Sequence, residues 1–176
     1  LASTQSDRTF TPTSGRGGVV YTVVPGVSIY GQYATATDSI GNVITQSVAQ
    51  QLFDLTSGRQ VEVGAKQSFG NGTGEWTVAG YQIVKKKLLA PDPINPALSQ
   101  QIGQQSSAGV EVSGALSAGD VRIDVNGTVL QARFDDFAEN IGGVLTSRVG
   151  NRPPNVPTRA ANLWVTWNTT PAWQLR

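Results

Sequence analysis

Side chains that could do chemistry are few in this chain, and the two most versatile types are missing. The sequence of 176 residues has 13 Lys and Arg, 12 Asp and Glu, no histidine and no cysteine. Histidine is the commonest metal ligand and general base, and cysteine supplies reactive thiolates. We therefore predict no catalytic residues, no metal site and no enzymatic activity, and no set of residues indicates a cofactor-binding site.

The remaining charged side chains of interest lie in stretches where polar and apolar residues alternate. They are Glu62, Lys66, Glu111, Arg122 and Asp124. Successive side chains on a β-strand point to opposite faces, so these residues would lie opposite rows of aliphatic residues. They could line a water-filled lumen, where they pair with one another and contact a plug. They could equally do no more than solvate a polar surface.

The clearest alternation is in residues 110–130 and predicts a β-hairpin. Val110, Val112 and Leu116 would share one face before a short turn at residues 117–120. After the turn, Val and Ile alternate with Arg, Asp, Asn and Thr. The hairpin would have one apolar side and one polar side. That apolar side could cover a soluble core or face lipid.

Similar stretches predict three further hairpins joined by short turns. Their strands are predicted at residues 18–24 and 27–34, 59–69 and 76–87, and 161–167 and 173–176. Long connections separate the hairpins at residues 35–59, 88–107 and 131–159, with a weak helical pattern at 46–55. The sequence therefore predicts an all-β chain with about eight strands in four antiparallel hairpins.

Short turns at one end and long loops at the other favour an up-and-down transmembrane β-barrel. Aromatic residues beside the short turns would form its interfacial girdle: Tyr21, Phe69, Trp76, Trp167 and Trp173. The main alternative is a self-contained, soluble, lipocalin-like barrel that binds an apolar ligand inside, and a third is a surface adhesin or structural β domain. The two barrel hypotheses differ in where the aliphatic side of each strand points.

Four segments resemble sequence motifs of TonB-dependent siderophore receptors, in the same order and at similar spacing. Residues 53–66 resemble the family stretch L-x-P-E-x-G-x-x-Y-E-V-G-x-K, and residues 81–87 resemble F-D-I-x-x-K-N. Residues 107–112 resemble S-R-G-V-E-L-E, and residues 154–164 resemble P-N-V-P-x-H-x-x-x-L-W. Each motif is short, but the four lie in the family's order between residues 53 and 164.

The resemblance implies a barrel of about 22 strands in the outer membrane of a Gram-negative bacterium, plugged by an N-terminal domain. Residues 1–176 would be a partial barrel, without the plug domain and the last strands. The full protein would be a receptor and transporter for a ferric siderophore, energised by an inner-membrane TonB complex through the plug.

The partners implied are therefore the siderophore, the TonB complex and outer-membrane lipid. A net charge of +1 gives no reason to expect a nucleic-acid partner. A fragment of such a barrel has two unpaired edges, so in isolation we expect it to associate with another copy or to close into a smaller barrel.

The long connections are where a ligand would bind, because loops on a rigid scaffold commonly carry binding residues. The candidates on this rim are Gln50, Gln51, Phe53, Gln100, Gln101, Arg133, Phe134 and Phe137. Polar and aromatic side chains suit a bulky, oxygen-rich ferric siderophore. Ordinary solvated loops would have a similar composition, and the sequence does not specify which siderophore is bound.

Overall fold

The computed structural model describes residues 9–38, 53–91, 99–170 and 173–175. Eight strands form one antiparallel sheet, in which neighbours follow chain order except that β6 pairs with β9. They are β1 (Gly15–Val24), β2 (Val27–Asp38), β3 (Thr56–Phe69), β4 (Gly74–Pro91), β5 (Ser99–Ala118), β6 (Val121–Asp136), β9 (Arg159–Thr170) and β10 (Trp173–Leu175). Between β6 and β9, β7 (Ala138–Ile141) and β8 (Val144–Ser147) form a separate two-stranded ribbon.

The four predicted hairpins are confirmed, and the first three have short turns within the described residues. Pro25 and Gly26 join β1 to β2, and Gly26 has a φ of +84°, which suits the third position of a type II turn. Gly119 and Asp120 alone join β5 to β6, and Gly119 has a φ of +58°. A 3-10 turn at Gly70–Gly72 connects β3 to β4. Glycine is favoured where the turn requires a left-handed backbone.

The strands extend well beyond the predicted limits, so the connections at the other end are shorter than the sequence suggests. β4 continues to Pro91 and β5 starts at Ser99, so most of residues 88–107 is strand. Residues 131–159 contain the end of β6 and the β7–β8 ribbon. Alternation is lost at residues 88–90 because three apolar residues follow one another, and at 99–107 because polar residues occupy both faces of the sheet. Of the weak helical pattern at 46–55, only residues 53–55 are described, and they are irregular.

One face of the sheet carries the aliphatic side chains of its long strands. Residues paired across antiparallel strands project to the same face, so the register shows which residues belong to each face of the sheet. Leu116 of β5 pairs with Ile123 of β6, which pairs with Val165 of β9. Exposed apolar residues that the same rule places on this aliphatic face include Val19, Tyr21, Ile29, Tyr33, Val61, Val63, Val78, Val110, Val112, Leu116, Ile123, Val125, Val129, Leu163, Val165 and Trp167.

Nothing in the described chain covers this aliphatic face. Val63 and Leu163 are 61% and 65% exposed, whereas Glu62 on the other face is only partly exposed. Among the described residues, the buried apolar side chains are Ala79, Val84, Ala132 and Phe134. A soluble protein would bury such an extended apolar surface. The orientation is that of a barrel wall whose aliphatic side meets lipid.

The described strands form an open sheet and enclose no apolar interior. Within them, β1 pairs only with β2 and β10 only with β9. The lipocalin-like alternative requires a closed sheet with its aliphatic residues inside, so this arrangement disfavours it. The same open sheet gives no support to closure of the fragment into a smaller barrel. In these same ranges, no helix has the length and apolar character needed to span a membrane.

The predicted aromatic girdle follows the short-turn end of the aliphatic face. Tyr21, Phe69 and Trp167 lie there with 67%, 44% and 53% exposure. Trp76 pairs with Gln67, and its indole Nε1 donates a hydrogen bond to Gln67 Oε1 at 2.9 Å. Amphipathic rings with a polar partner suit a membrane–water interface. The side chain of Trp173 lies outside the described part of the structure.

The orientation predicts opposite effects for two adjacent positions on β5. Val112→Arg places a guanidinium on the aliphatic face, and we expect it to destabilise the barrel by about 2–4 kcal/mol, as for a cation near the bilayer midplane. Ser113 lies on the other face beside Glu111, so Ser113→Arg places the same group among carboxylate, amide and hydroxyl groups and should cost much less. Urea unfolding of the full-length protein in lipid vesicles measures both. Equal losses for the two variants would contradict the orientation.

Candidate functional site

The face opposite the aliphatic face is strongly polar, and the register brings the five charged candidates together on it. Glu62, Lys66, Glu111, Arg122 and Asp124 all belong to this polar face. Its other members include Tyr30, Gln32, Gln60, Thr77, Tyr81, Ser113, Asn126 and Asn162. In a barrel whose aliphatic side is outward, this polar face lines the lumen.

Two of the candidates pair with each other near the short-turn end. The Arg122 Nη2 lies 2.7 Å from Asp124 Oδ1, and its Nε donates to the same carboxylate. Both side chains are more than one-third exposed. Exposed ion pairs of this kind contribute about 0–1 kcal/mol, so this pair fits a solvated wall.

Glu62 is held by neutral donors on both carboxylate oxygens. The Tyr30 hydroxyl donates to Glu62 Oε1 at 2.9 Å, and Gln60 Nε2 donates to Oε2 at 2.9 Å. Hydrogen bonds to a charged acceptor are shorter and stronger than neutral ones. Among the described residues, no cation forms an ion pair with Glu62 or Glu111.

Glu62 and Glu111 line the same trough on the polar face. The trough has a volume of about 300 Å³, and its other lining residues include Tyr30, Thr77, Asn126 and Asn162. Lys66 lies four residues from Glu62 on the same face of β3 and is exposed. The trough is therefore a polar surface with two carboxylates, of which Glu62 is already held by an amide and a hydroxyl group of the wall.

A glycine beneath each of two tyrosine rings shapes this surface. A Cβ built on Gly64 would lie 2.6 Å from Tyr30 Cζ and 2.7 Å from its hydroxyl oxygen. Gly64 is the cross-strand partner of Tyr30, so the ring lies across the strand that carries Glu62. Gly109 is the cross-strand partner of Tyr81, and a Cβ built on Gly109 would lie 2.8 Å from the Tyr81 hydroxyl oxygen. Sequence analysis missed both glycines, although an interior strand glycine signals a close approach.

Gln101, on the loop rim, links neighbouring segments by hydrogen bonds. Its Nε2 donates to the carbonyl oxygens of Asp54 and Lys87 at 2.8 Å each, and its Oε1 accepts from the Asp54 amide at 3.3 Å. Lys87 Nζ also lies 2.5 Å from Asp54 Oδ2. These contacts bind the segment before β3 to β4 and β5. The polar groups of Gln101 are thus engaged within the wall.

Like Gln101, the aromatic candidates on the rim contribute to the packing of the wall. Phe134 is buried, and its ring lies 4.9 Å from that of Phe137. Its amide donates to the Asn151 carbonyl at 2.9 Å, and its carbonyl accepts from the Gly150 amide at 2.8 Å. Phe53 is half-buried, Gln50 and Gln51 lie outside the described residues, and so does the side chain of Gln100.

Arg133 lies on the same side of the sheet as the aliphatic face, so it does not face the lumen. Its Nε donates to Asp135 Oδ1 at 3.0 Å, and Asp135 also accepts from Gln104 and Ser106. Burial alone would raise the pKa of the Asp135 carboxyl, but these hydrogen bonds outweigh burial and lower that pKa. They therefore stabilise the fold above the ordinary pKa of 3.8, and their contribution is lost as pH falls through the lowered value.

In the described ranges, no cluster of three or more acidic, histidine or cysteine side chains could hold a metal ion. The polar face instead offers hydroxyls, amides and paired or hydrogen-bonded charges. Such a surface can bind a polar partner or a solvated ligand.

Comparison with known proteins gives one consistent result. A family model described as TonB-dependent receptor-like, β-barrel matches residues 2–176. The chain is 33% identical over 111 residues to the metal-pseudopaline receptor CntO of Pseudomonas aeruginosa, covering 63% of this chain and 15% of that protein. It is 27% identical over 164 residues to the ferrichrome outer membrane transporter/phage receptor of Escherichia coli K12, covering 93% and 21%.

Solved structures agree on the fold. The siderophore receptor PiuA of Acinetobacter baumannii superposes with a TM-score of 0.71 at 24% identity, covering 90% of this chain and 24% of that one. The ferric-catecholate import receptor Fiu of E. coli K12 gives 0.68 at 17% identity, covering 90% and 22%. The chain spans between 15% and 22% of the length of the curated relatives it matches.

The close packing of the Tyr30 ring on Gly64 predicts that substitution of this glycine lowers the stability of the protein. In Gly64→Ala the new methyl group displaces the ring and breaks its hydrogen bond to Glu62, so we expect a destabilisation of about 1–3 kcal/mol. Gly80→Ala on β4 is the control, because its Cβ would meet nothing closer than 4.0 Å. Urea unfolding of the full-length protein compares them. If both alanines are equally tolerated, the close packing of Tyr30 on Gly64 is not important for stability.

Proposed function

Because the chain belongs to the family of TonB-dependent receptor-like β-barrels, we propose that it forms part of the wall of a receptor that imports a ferric siderophore with energy supplied through TonB. Members of this family are outer-membrane proteins of Gram-negative bacteria, and this barrel belongs to the same membrane. The observation that best supports the proposal is the separation of an exposed, mainly aliphatic face from a mainly polar face across the long strands.

In this proposal the chain supplies barrel wall and outward loops. The short turns lie on the periplasmic side and the longer connections on the extracellular side, as in other outer-membrane barrels. The free edges of β1 and β10 pair with further strands of the full protein, which leaves no open edge in lipid. Residues 1–176 are then a partial barrel, and the plug domain is supplied by another part of the full protein. In an isolated fragment the same edges would pair with another copy.

The two carboxylates of the trough are the surface we assign to the plug. Glu62 and Glu111 face the lumen, and no cation of the described wall pairs with either. A plug that fills the lumen would remove water from these groups, and burying a carboxylate without a cationic partner is costly. We therefore expect basic or hydrogen-bond-donating side chains of the plug against them.

The ligand would bind above this surface, at the extracellular rim. The relatives named above are receptors for metal-pseudopaline and ferrichrome, both of which are metal chelates. Since iron arrives already enclosed by its chelator, the receptor needs no iron ligands of its own. The rim is polar, and Gln101 and Phe134 make it rigid. We therefore expect the ligand to contact the exposed polar groups that lie beside Gln101 and Phe134.

The proposal is tested by uptake with the full-length receptor. We expect it to restore growth on iron-limited medium to a Gram-negative strain that lacks its own siderophore receptors, with at least one supplied ferric siderophore. Deletion of tonB in the same strain should abolish that growth. Uptake that continues without TonB would overturn the coupling. Failure with hydroxamate, catecholate and carboxylate siderophores alike, with the protein folded in the outer membrane, would overturn the transport proposal.

The plug contact is tested separately by the double variant Glu62→Gln, Glu111→Gln. Glutamine keeps the shape of both side chains and removes their charge, so we expect the plug to be held less firmly. Increased sensitivity of cells to vancomycin, which is too large for ordinary porins, reports a leaking lumen. The control is Asp124→Asn, because Asp124 already pairs with Arg122 in the wall. Equal sensitivity in the two strains would exclude Glu62 and Glu111 as plug contacts.

A further inference from the structure

Cations collect on the outward side of the sheet, just beyond the aliphatic face toward the loops. Arg59 of β3 is aligned laterally with Val84, Ser106 and Arg133 on the next three strands. Lys86 lies two residues past Val84 on the same face, and Arg159 pairs with Val129. All four cations are exposed. Of the acidic residues described on this side, Asp135 is already paired with Arg133.

Two of these cations line one concave pocket at the ends of β2, β3 and β4. The pocket has a volume of about 260 Å³ and is lined by Arg59 and Lys86, by the hydroxyl residues Thr13, Thr35, Thr37 and Ser57, and by apolar Tyr33 and Val84. No acidic residue belongs to this lining. Within the described ranges, neither Arg59 nor Lys86 forms an ion pair.

The hydroxyl groups divide into those that build the pocket and those that face it. The Thr35 Oγ1 accepts from the Gly15 amide at 3.1 Å, and the Thr37 hydroxyl donates to the Thr13 carbonyl at 3.3 Å. These bonds hold the segment before β1 against β2. Arg59, Lys86 and the hydroxyls of Thr13 and Ser57 remain as donors for a bound group. Arginine and lysine beside hydroxyl donors are the side chains that recognise phosphate.

We propose that this pocket binds a phosphate group on the head group of a lipid in the extracellular leaflet. The inference rests on the proposed function, which places the aliphatic face in that membrane. Tyr33 and Val61, 49% and 47% exposed, lie on that face immediately below the pocket. Arg59 is two residues beyond Val61, or about 7 Å along the strand. An amphiphile could lay its acyl chains on Val61 and Tyr33 and place its phosphate beside Arg59.

Position and charge favour lipid over a free anion. Each cation near a membrane surface strengthens binding to anionic lipid, and Arg133 lies in the same lateral row as Arg59. Their long side chains can also keep aliphatic stems against the apolar surface while the charge stays at the interface. A small dissolved anion would gain nothing from the apolar side of the site, whereas a lipid uses both sides at once.

The test measures binding of fluorescent diphosphoryl lipid A to the purified full-length receptor in phosphatidylcholine nanodiscs. Removing both cations in the variant Arg59→Gln, Lys86→Gln should weaken binding on the order of tenfold or more, as expected for the loss of two charge-assisted contacts. Lys85→Gln is the matched control, because Lys85 adjoins Lys86 and is exposed on the opposite face. It should change binding by less than about twofold. Lys86→Arg should retain binding.

Three results would overturn the proposal. The double variant could bind lipid A as tightly as the natural protein while keeping its folded mobility on a heat-modifiability gel. Lys85→Gln could weaken binding as much as the double variant. Inorganic phosphate at millimolar concentration could displace lipid A completely, which would make the pocket a site for dissolved anions. None of these outcomes bears on siderophore uptake, so the two proposals fail separately.

Discussion

The backbone of a strand in lipid has no water to bond to, so each amide and carbonyl group must find its partner in the neighbouring strand. The rest of this structure depends on that constraint. From Ser57 to Phe69, β3 pairs with β4 without a break in register, and β4 continues the pairing into β5. Since side chains alternate with a period of two, a slip of one residue would exchange lipid for water on an entire strand. The register therefore determines both the fold and the chemistry of each face.

On the polar face, close contacts between strands decide which groups are presented and how. Gly64 and Gly109 leave room for Tyr30 and Tyr81 to lie across the sheet. The Tyr30 hydroxyl then reaches Glu62 from the side, and both carboxylate oxygens are held. Charge alone does not distinguish Glu62 from Asp124, because both carboxylates lie on one face. Their partners do: Asp124 is neutralised by Arg122 within β6, whereas Glu62 is oriented by neutral donors.

The same strands continue beyond the lipid, where other contacts stabilise them. Polar side chains occupy both faces there, and the sheet is held by side chains that bridge several segments. Gln101 binds Asp54 and Lys87, and the buried ring of Phe134 packs on Phe137. Arg148 and Glu139 form an ion pair across the β7–β8 ribbon. This extension gives the outward loops a stiff base, and it also brings Arg59 and Lys86 to the rim of the lipid-facing surface.

The sequence by itself determined the four hairpins, their turns, the faces of the strands and the family. Alternating residues such as those of 110–130 have only one way to separate apolar from polar groups on a strand. It did not determine where β4 ends or β5 begins, because the end of β4 is uniformly apolar and the start of β5 is mostly polar, so neither alternates. Nor did it show that Arg133 faces away from the lumen, which follows from counting residues along a strand whose extent was unknown. The packing of Tyr30 on Gly64 and the pocket at Arg59 each combine residues from different strands. Only the register of the folded sheet brings those residues together.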